Sequence, residues 1–222
     1  MSVIRQRQQR IAAILPILLK LYPDAKCSLN FKNPLQLLVA TILSAQCTDE
    51  RVNKVTRQLF KRYRTAGDYA AVSQEELERD IQSTGFFRNK AKSIRAMAQA
   101  LVERHGGKVP QTMEELTALA GVGRKTANVV LGNAFDINVG IVVDTHVARI
   151  SGRLGLSKQT DPVKIERDLM EVVPRGHWTL WPHLLIQHGR TLCTARNPRC
   201  ERCPLLPHCP AGKKFVKQRA EV

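Results

Sequence analysis

Apolar residues recur along this chain at intervals of three and four almost throughout, the spacing that gathers them on one face of an α-helix. Ile11, Ile14, Leu15, Leu18 and Leu19 form the first such stripe, with Pro16 inside it as an expected kink or restart. Asn33 followed by Pro34 reads as a helix start, a side-chain cap and then a proline, leading into Leu37, Leu38, Ala40, Thr41 and Ile42. Asp49 is placed to cap a helix carrying Val52, Val55, Leu59 and Phe60. Ser73 with Glu76, and Thr112 with Glu115, have the spacing of a capping box, in which two side chains satisfy orphan helix N–H groups. Asp144 heads another helix, as does the pair Asp161 and Pro162. The pattern predicts an all-α chain of about ten helices with no strand. Gly106–Gly107 and residues 136–140 are the clearest breaks. Beyond Cys193 the periodicity fades into a segment rich in Pro, Cys and Arg, which something other than a large core must hold.

Size and charge narrow the partners. A chain of 222 residues has room for one large domain or two small ones with real cores. Its formal net charge of +16 and pI of about 10.1 favour a polyanion, nucleic acid first. No apolar run approaches the length that spans a bilayer. The basic N-terminus is not followed by a signal-peptide core, so a cytoplasmic protein is expected. A reducing compartment argues against reading the six cysteines as disulfides.

Four of those cysteines fall within seventeen residues: Cys193, Cys200, Cys203 and Cys209, with Pro198, Pro204, Pro207 and Pro210 forcing turns around them. Four thiolates on one short loop can converge on zinc or on an iron–sulfur cluster. Zinc ribbons usually pair two CxxC units, and only one is present, which puts iron–sulfur ahead of zinc and disulfides last. Cys27 and Cys47 have no ligand spacing and read as small, half-buried thiols. His177, His183, His188 and His208 read as packing or surface residues beside so complete a thiolate set.

Leu119, Ala120, Gly121, Val122, Gly123, Arg124 and Lys125 join two helical segments through a glycine turn. Glycines permit positive φ and close backbone approach, and Val122 can anchor the turn in the core. Helix, glycine hairpin, helix is a helix-hairpin-helix, whose N–H groups suit a DNA phosphate without reading bases. Lys125 would sit in the first turn of the second helix. The positive end of the helix dipole and an expected burial there would both favour its free amine, which can attack carbon and form a Schiff base. A lysine there can also be one more phosphate-binding cation, and on these residues alone that is the better reading. Asp144 follows the apolar run from Val139 to Val143 and can cap a helix while facing a developing positive charge.

Leu43, Ser44, Ala45, Gln46, Cys47, Thr48 and Asp49; the hairpin from Gly121 to Val130; Val143, Asp144, Thr145 and His146; and the four-cysteine loop occur in that order. Together they resemble the bacterial endonuclease III family, the iron–sulfur branch of the helix-hairpin-helix DNA glycosylases. The resemblance runs from about Arg10 to Cys209. It implies a two-lobed all-α fold, with residues 27–137 forming a six-helix lobe. Residues 1–26 with 138–222 would form the other lobe, whose loop 190–210 carries a [4Fe–4S] cluster on Cys193, Cys200, Cys203 and Cys209.

The implied activity is that of a bifunctional DNA glycosylase and AP lyase of base excision repair. It removes oxidised pyrimidines from duplex DNA and cleaves the abasic site. The resemblance makes Lys125 the nucleophile at C1′ of the sugar and Asp144 the group that assists its deprotonation and faces the sugar's positive charge. A base must leave the stack before its sugar can be attacked. Gln46 matches the family's gap-filling glutamine, and Phe86 stands where the family usually has a leucine wedge. His146 matches a residue near the flipped nucleotide. Gly121, Gly123 and Arg124 would meet the DNA backbone, as would Arg196 and Arg199 on the cluster loop. Ala120 replaces the proline that usually precedes the first glycine, which removes some rigidity from the turn. The expected form is a monomer with double-stranded DNA as partner. The adenine-excising branch generally lacks the hairpin lysine and has an extra C-terminal domain, and Lys125 speaks against it. A non-catalytic DNA-binding module with structural zinc would leave Asp144 without a special role.

Overall fold

The structure, a computed structural model, describes residues 2–220 and contains α-helices and short 3-10 turns, with no strand among the described residues. The chain divides into two compact units, Cys27–Val139 and Met1–Lys26 with Gly140–Val222. Along the chain the first boundary falls between Lys26 and Cys27 and the second after Val139, since Ile137 and Val139 both pack on the core of the Cys27–Val139 unit.

The Cys27–Val139 unit holds α2 (Pro34–Leu43), α3 (Asp49–Arg62), α4 (Ala66–Ala71), α5 (Gln74–Ile81), α6 (Phe87–His105), α7 (Met113–Thr117) and α8 (Arg124–Phe135). These are seven helices where six were expected. Two of the segments are short: α4 has six residues and α7, the segment headed by Thr112, has five. Helix α2 is apolar nearly all round, so it is buried on most sides, and Leu37, Leu38, Val39, Ala40 and Leu43 have no exposed surface. It packs against α3, α6 and α8. Ile94, Met97, Ala98 and Leu101 give α6 a fully buried stripe.

Helix starts follow local chemistry. Asn33 caps α2 by accepting from the Gln36 N–H at 2.9 Å, with Pro34 at the first helical position. The cap of α3 is Thr48, not Asp49: Thr48 accepts from the Arg51 N–H, while Asp49 accepts from the Ser28 hydroxyl at 2.5 Å. Ser73 and Thr112 cap their helices, but neither glutamate returns the bond that completes a box. Glu115 takes the Thr112 hydroxyl at 2.6 Å, and Glu76 pairs with Arg62. The reciprocal box belongs to Thr65 and Asp68 at α4.

The second unit holds α1 (Val3–Leu21), α9 (Thr145–Arg153), α10 (Pro162–Met170), α11 (Leu180–Thr191) and α12 (Pro210–Ala220). Pro16 does not restart α1; it lies on the exposed face of a continuous helix, where water can take the carbonyl it leaves free. Ile11, Ile14, Leu15 and Leu18 bury the other face among Ile150, Leu169, Trp181, Leu184 and Leu185. No helix among the described residues is long and apolar enough to cross a membrane.

Candidate active site

The glycine hairpin joins α7 to α8. Gly121 has φ +75, the left-handed region, and a Cβ there would sit 2.8 Å from Cβ of Ser93 on α6. Only glycine satisfies both constraints. Gly123 has φ −91 and ψ 175, an ordinary extended conformation, and nothing lies within 4 Å of a Cβ built there. It is the N-cap of α8 and, being glycine, supplies no side-chain cap to the helix start. Val122 is 5% exposed and anchors the turn as the pattern suggests.

Arg124 and Lys125 are the first two residues of α8, and both are exposed. The burial expected for Lys125 is therefore not found. The Lys125 side chain is exposed in the first turn of α8.

Two further loops of this unit end in left-handed, non-glycine residues. Gln46, between α2 and α3, has φ 51 and is exposed. Phe86 has φ 48, follows Gly85 at φ 69, and leaves 63% of its surface in solvent, while Phe87 packs on the core. Phe86 is thus a large aromatic held in solvent on a turn that L side chains rarely adopt. Between the two loops lies Lys90, only 5% exposed, whose Nζ donates to the carbonyls of Leu43 at 2.7 Å and Thr84 at 2.9 Å.

In the second unit, Asp144 is the N-cap of α9 and accepts from the Val147 N–H at 2.8 Å. Its other oxygen meets Nδ1 of His146 at 3.1 Å. Gly189 on α11 lets the two helices approach, for a Cβ there would sit 2.8 Å from Cδ2 of His146.

Cys193, Cys200, Cys203 and Cys209 line one pocket with Arg153, Leu154, His188 and Phe215. All four are free thiols. Burial pushes Cys203 up to about 11 and raises Cys200 and Cys209, with the neighbouring cysteines adding to each shift. A positive or electron-accepting centre would reverse that penalty on the thiolates. Among the described residues, no three His, Cys, Asp or Glu side chains close on a single metal ion. Arg153 braces the loop, donating to Sγ of Cys193 at 3.2 Å and to the carbonyls of Thr194 at 2.7 Å and Ala195 at 2.6 Å. Arg196 and Arg199 lie on the exposed face of this loop.

His188 is more than packing. It is 2% exposed, its Nε2 lies 3.6 Å from Sγ of Cys203, and Nδ1 meets the Tyr22 hydroxyl at 3.0 Å. Burial pushes it down to about 4, so it stays neutral. Periodicity carries no sign of the Arg153 or His188 roles, since their partners, backbone and sulfur atoms and the Tyr22 hydroxyl, lie well away along the chain. Lys90 does leave a trace: a charge on the same stripe as Ile94 and Met97.

The glycine hairpin with a lysine at the head of its second helix, and the four-thiol loop, define a helical DNA-repair class. Residues 39–175 match the HhH-GPD superfamily base excision DNA repair proteins, and residues 193–209 match the iron–sulfur binding domain of endonuclease III. The chain is 56% identical to the endonuclease III of Synechocystis sp. over 93% of its own length and 94% of the relative's. It is 49% identical to that of Bacillus subtilis, over 89% and 90%. Among solved structures, a trapped endonuclease III–DNA covalent intermediate is similar with a TM-score of 0.88 at 48% identity, covering 94% of this chain and 98% of that one. A non-covalent endonuclease III–DNA complex also gives 0.88, at 47% identity over 95% and 98%. The chain belongs to the endonuclease III family. It is an enzyme of base excision repair, a DNA glycosylase with AP lyase activity, that acts on DNA and carries an iron–sulfur binding domain.

Proposed function

We propose that this enzyme removes oxidised pyrimidines from duplex DNA and then cuts the strand through a Schiff base on Lys125. The single observation that carries this reading is the exposed Lys125 amine in the first turn of α8, next to the glycine hairpin. The hairpin N–H groups hold a phosphate and present the sugar to the amine. Lys125 Nζ bonds to C1′ as the N-glycosidic bond breaks, and the base leaves with the bonding electrons and takes up a proton. Asp144 accepts the lysine's proton and faces the positive charge that grows on the sugar. Ring opening gives an iminium, which acidifies the C2′ proton. Loss of that proton expels the 3′ phosphate by breaking the C3′–O bond, and water then releases Lys125.

Gln46 fills the space of the extruded nucleotide, Phe86 wedges the neighbouring stack and His146 lies near the flipped residue. Gly121, Gly123, Arg124, Arg196 and Arg199 meet the backbone. The units Cys27–Val139 and Met1–Lys26 with Gly140–Val222 are read as the two lobes of the family fold. The enzyme is read as a monomer acting on nucleoid DNA in the bacterial cytoplasm.

Cys193, Cys200, Cys203 and Cys209 are read as the ligands of a [4Fe–4S] cluster. The reading is supported by four free thiols around one pocket. When bound, the cluster supplies four iron–thiolate bonds that hold Arg196 and Arg199 on one rigid loop. Anaerobically purified protein should contain about four iron and four sulfide per chain, and stoichiometric zinc would overturn the cluster assignment. On a panel of lesion duplexes, thymine glycol should be released and its strand cut. A Lys125→Gln variant that still cuts the strand would overturn the lysine's role.

A further inference from the structure

We propose that Lys90 is a positioning residue that pins the Gln46 and Phe86 loops to each other, so that the two probes of the duplex act as one fixed unit. The proposal rests on the reading of Gln46 and Phe86 as DNA-probing residues. The side chain belongs to the first turn of α6, four residues after Phe86, and its own N–H returns to the Phe86 carbonyl at 3.1 Å.

Its two acceptors are the last carbonyls before the two loops. Leu43 ends α2. The Cys47 N–H, which a continuing helix would bring to the Leu43 carbonyl, goes instead to Ser44 at 3.1 Å. Thr84 ends the 3-10 turn that precedes Gly85, and its own hydroxyl is spent on the Ile81 carbonyl at 2.8 Å. The ammonium therefore sits at the negative ends of two helical segments at once, where a cation is favoured and where its separate N–H bonds serve both carbonyls. A neutral side chain of this length offers no donor, and glutamine is too short to reach both.

Beyond each pinned carbonyl the chain turns left-handed at a residue that is not glycine, Gln46 at φ 51 and Phe86 at φ 48. Such turns persist where their surroundings over-determine them. Here the shared determinant is a single buried cation. Burial draws its pKa below the ordinary lysine value, and the nearby Cys47 pulls the other way. Removing the cation frees both loops together, while the hairpin keeps its own contact with Ser93 on α6 and Lys90 makes no hydrogen bond to it.

The test compares full-length Lys90→Met and Lys90→Gln with wild type on two substrates, a thymine glycol paired in duplex and a preformed abasic site. Base release from the paired lesion should slow about tenfold or more, while strand cleavage at the abasic site stays within about threefold. 2-Aminopurine opposite the lesion should lose its binding-induced fluorescence rise in both variants. A purely structural lysine would slow both substrates alike and leave the fluorescence of the bound fraction intact, which overturns the proposal. If Lys90→Met does not fold, Lys90→Gln decides, and wild-type substrate discrimination in it overturns the proposal. Gln46→Ala and Phe86→Ala run beside them: if neither alters base release from the paired lesion, the underlying reading of those residues fails, whatever Lys90 does. If both alter it and Lys90→Gln does not, only the Lys90 proposal fails.

Discussion

Gly121→Ala and Gly123→Ala look equivalent in sequence and should behave very differently. At Gly121 the new methyl meets two obstacles. An alanine held at φ +75 costs about 1–2 kcal/mol of left-handed strain. Its Cβ also lies 2.8 Å from Cβ of Ser93, a contact that real Cβ atoms avoid, so the hairpin must move away from α6. Overpacking of this kind adds about 1–3 kcal/mol. The sum is roughly 2–5 kcal/mol, a large part of the stability of a small unit. At Gly123, with φ −91 and open space, only the better N-cap preference of glycine over alanine is lost, about 0.5–1 kcal/mol. Urea unfolding followed by circular dichroism measures both. A Ser93→Gly background should relieve the clash but not the strain, leaving Gly121→Ala there about 1–2 kcal/mol down. If Gly121→Ala and Gly123→Ala cost the same, the hairpin geometry described above is wrong.

Gly189 lies inside α11, where alanine would ordinarily stabilise by about 1 kcal/mol. Because its Cβ would sit 2.8 Å from His146 and 3.0 Å from Ile150, Gly189→Ala should instead destabilise in urea unfolding, and a stabilised variant would contradict the packing. Tyr63, buried with its hydroxyl on Asp80 at 2.7 Å, is raised from 10.0 to about 12, first by burial and then by the aspartate. A raised folded value contributes stability that is complete below pH 10 and is lost as pH rises toward 12. Wild type should therefore lose up to about 1.4 kcal/mol from this residue between pH 8 and pH 11, a loss absent in Tyr63→Phe; parallel pH profiles of the two would refute the assignment. Arg153→Met removes the hydrogen bonds to Cys193, Thr194 and Ala195 in the first cysteine loop, so the visible absorbance of the cluster should decay about tenfold faster under chelator. An unchanged decay would mean that Arg153 does not brace the loop.

Much of the site was legible because it is written in local chemistry. Asn33 with Pro34, Asp144, and Asp161 with Pro162 act where they stand, on N–H groups within three residues. The cysteine loop was legible for the same reason, four like residues close in sequence. The misreadings arise where a choice depends on distant neighbours. Thr48 rather than Asp49 caps α3 because Ser28, twenty-one residues earlier, engages the aspartate. Pro16 leaves α1 unbroken because it faces solvent, which periodicity does not weigh. Lys125 was expected to be buried, yet its neighbours on α8 turn it outward. Gly121 and Gly123 differ through a left-handed φ and through Ser93, and Lys90 takes its meaning from a carbonyl forty-seven residues away.

The central claim is that Lys125 is the amine that joins the sugar. Borohydride reduction in the presence of duplex DNA bearing an abasic site tests it directly. Wild type should give a covalent protein–DNA adduct, and peptide mapping should find the DNA on Lys125. Lys125→Ala should give none while still binding the duplex. An adduct of wild-type yield in Lys125→Ala, or no adduct in wild type, would contradict the account.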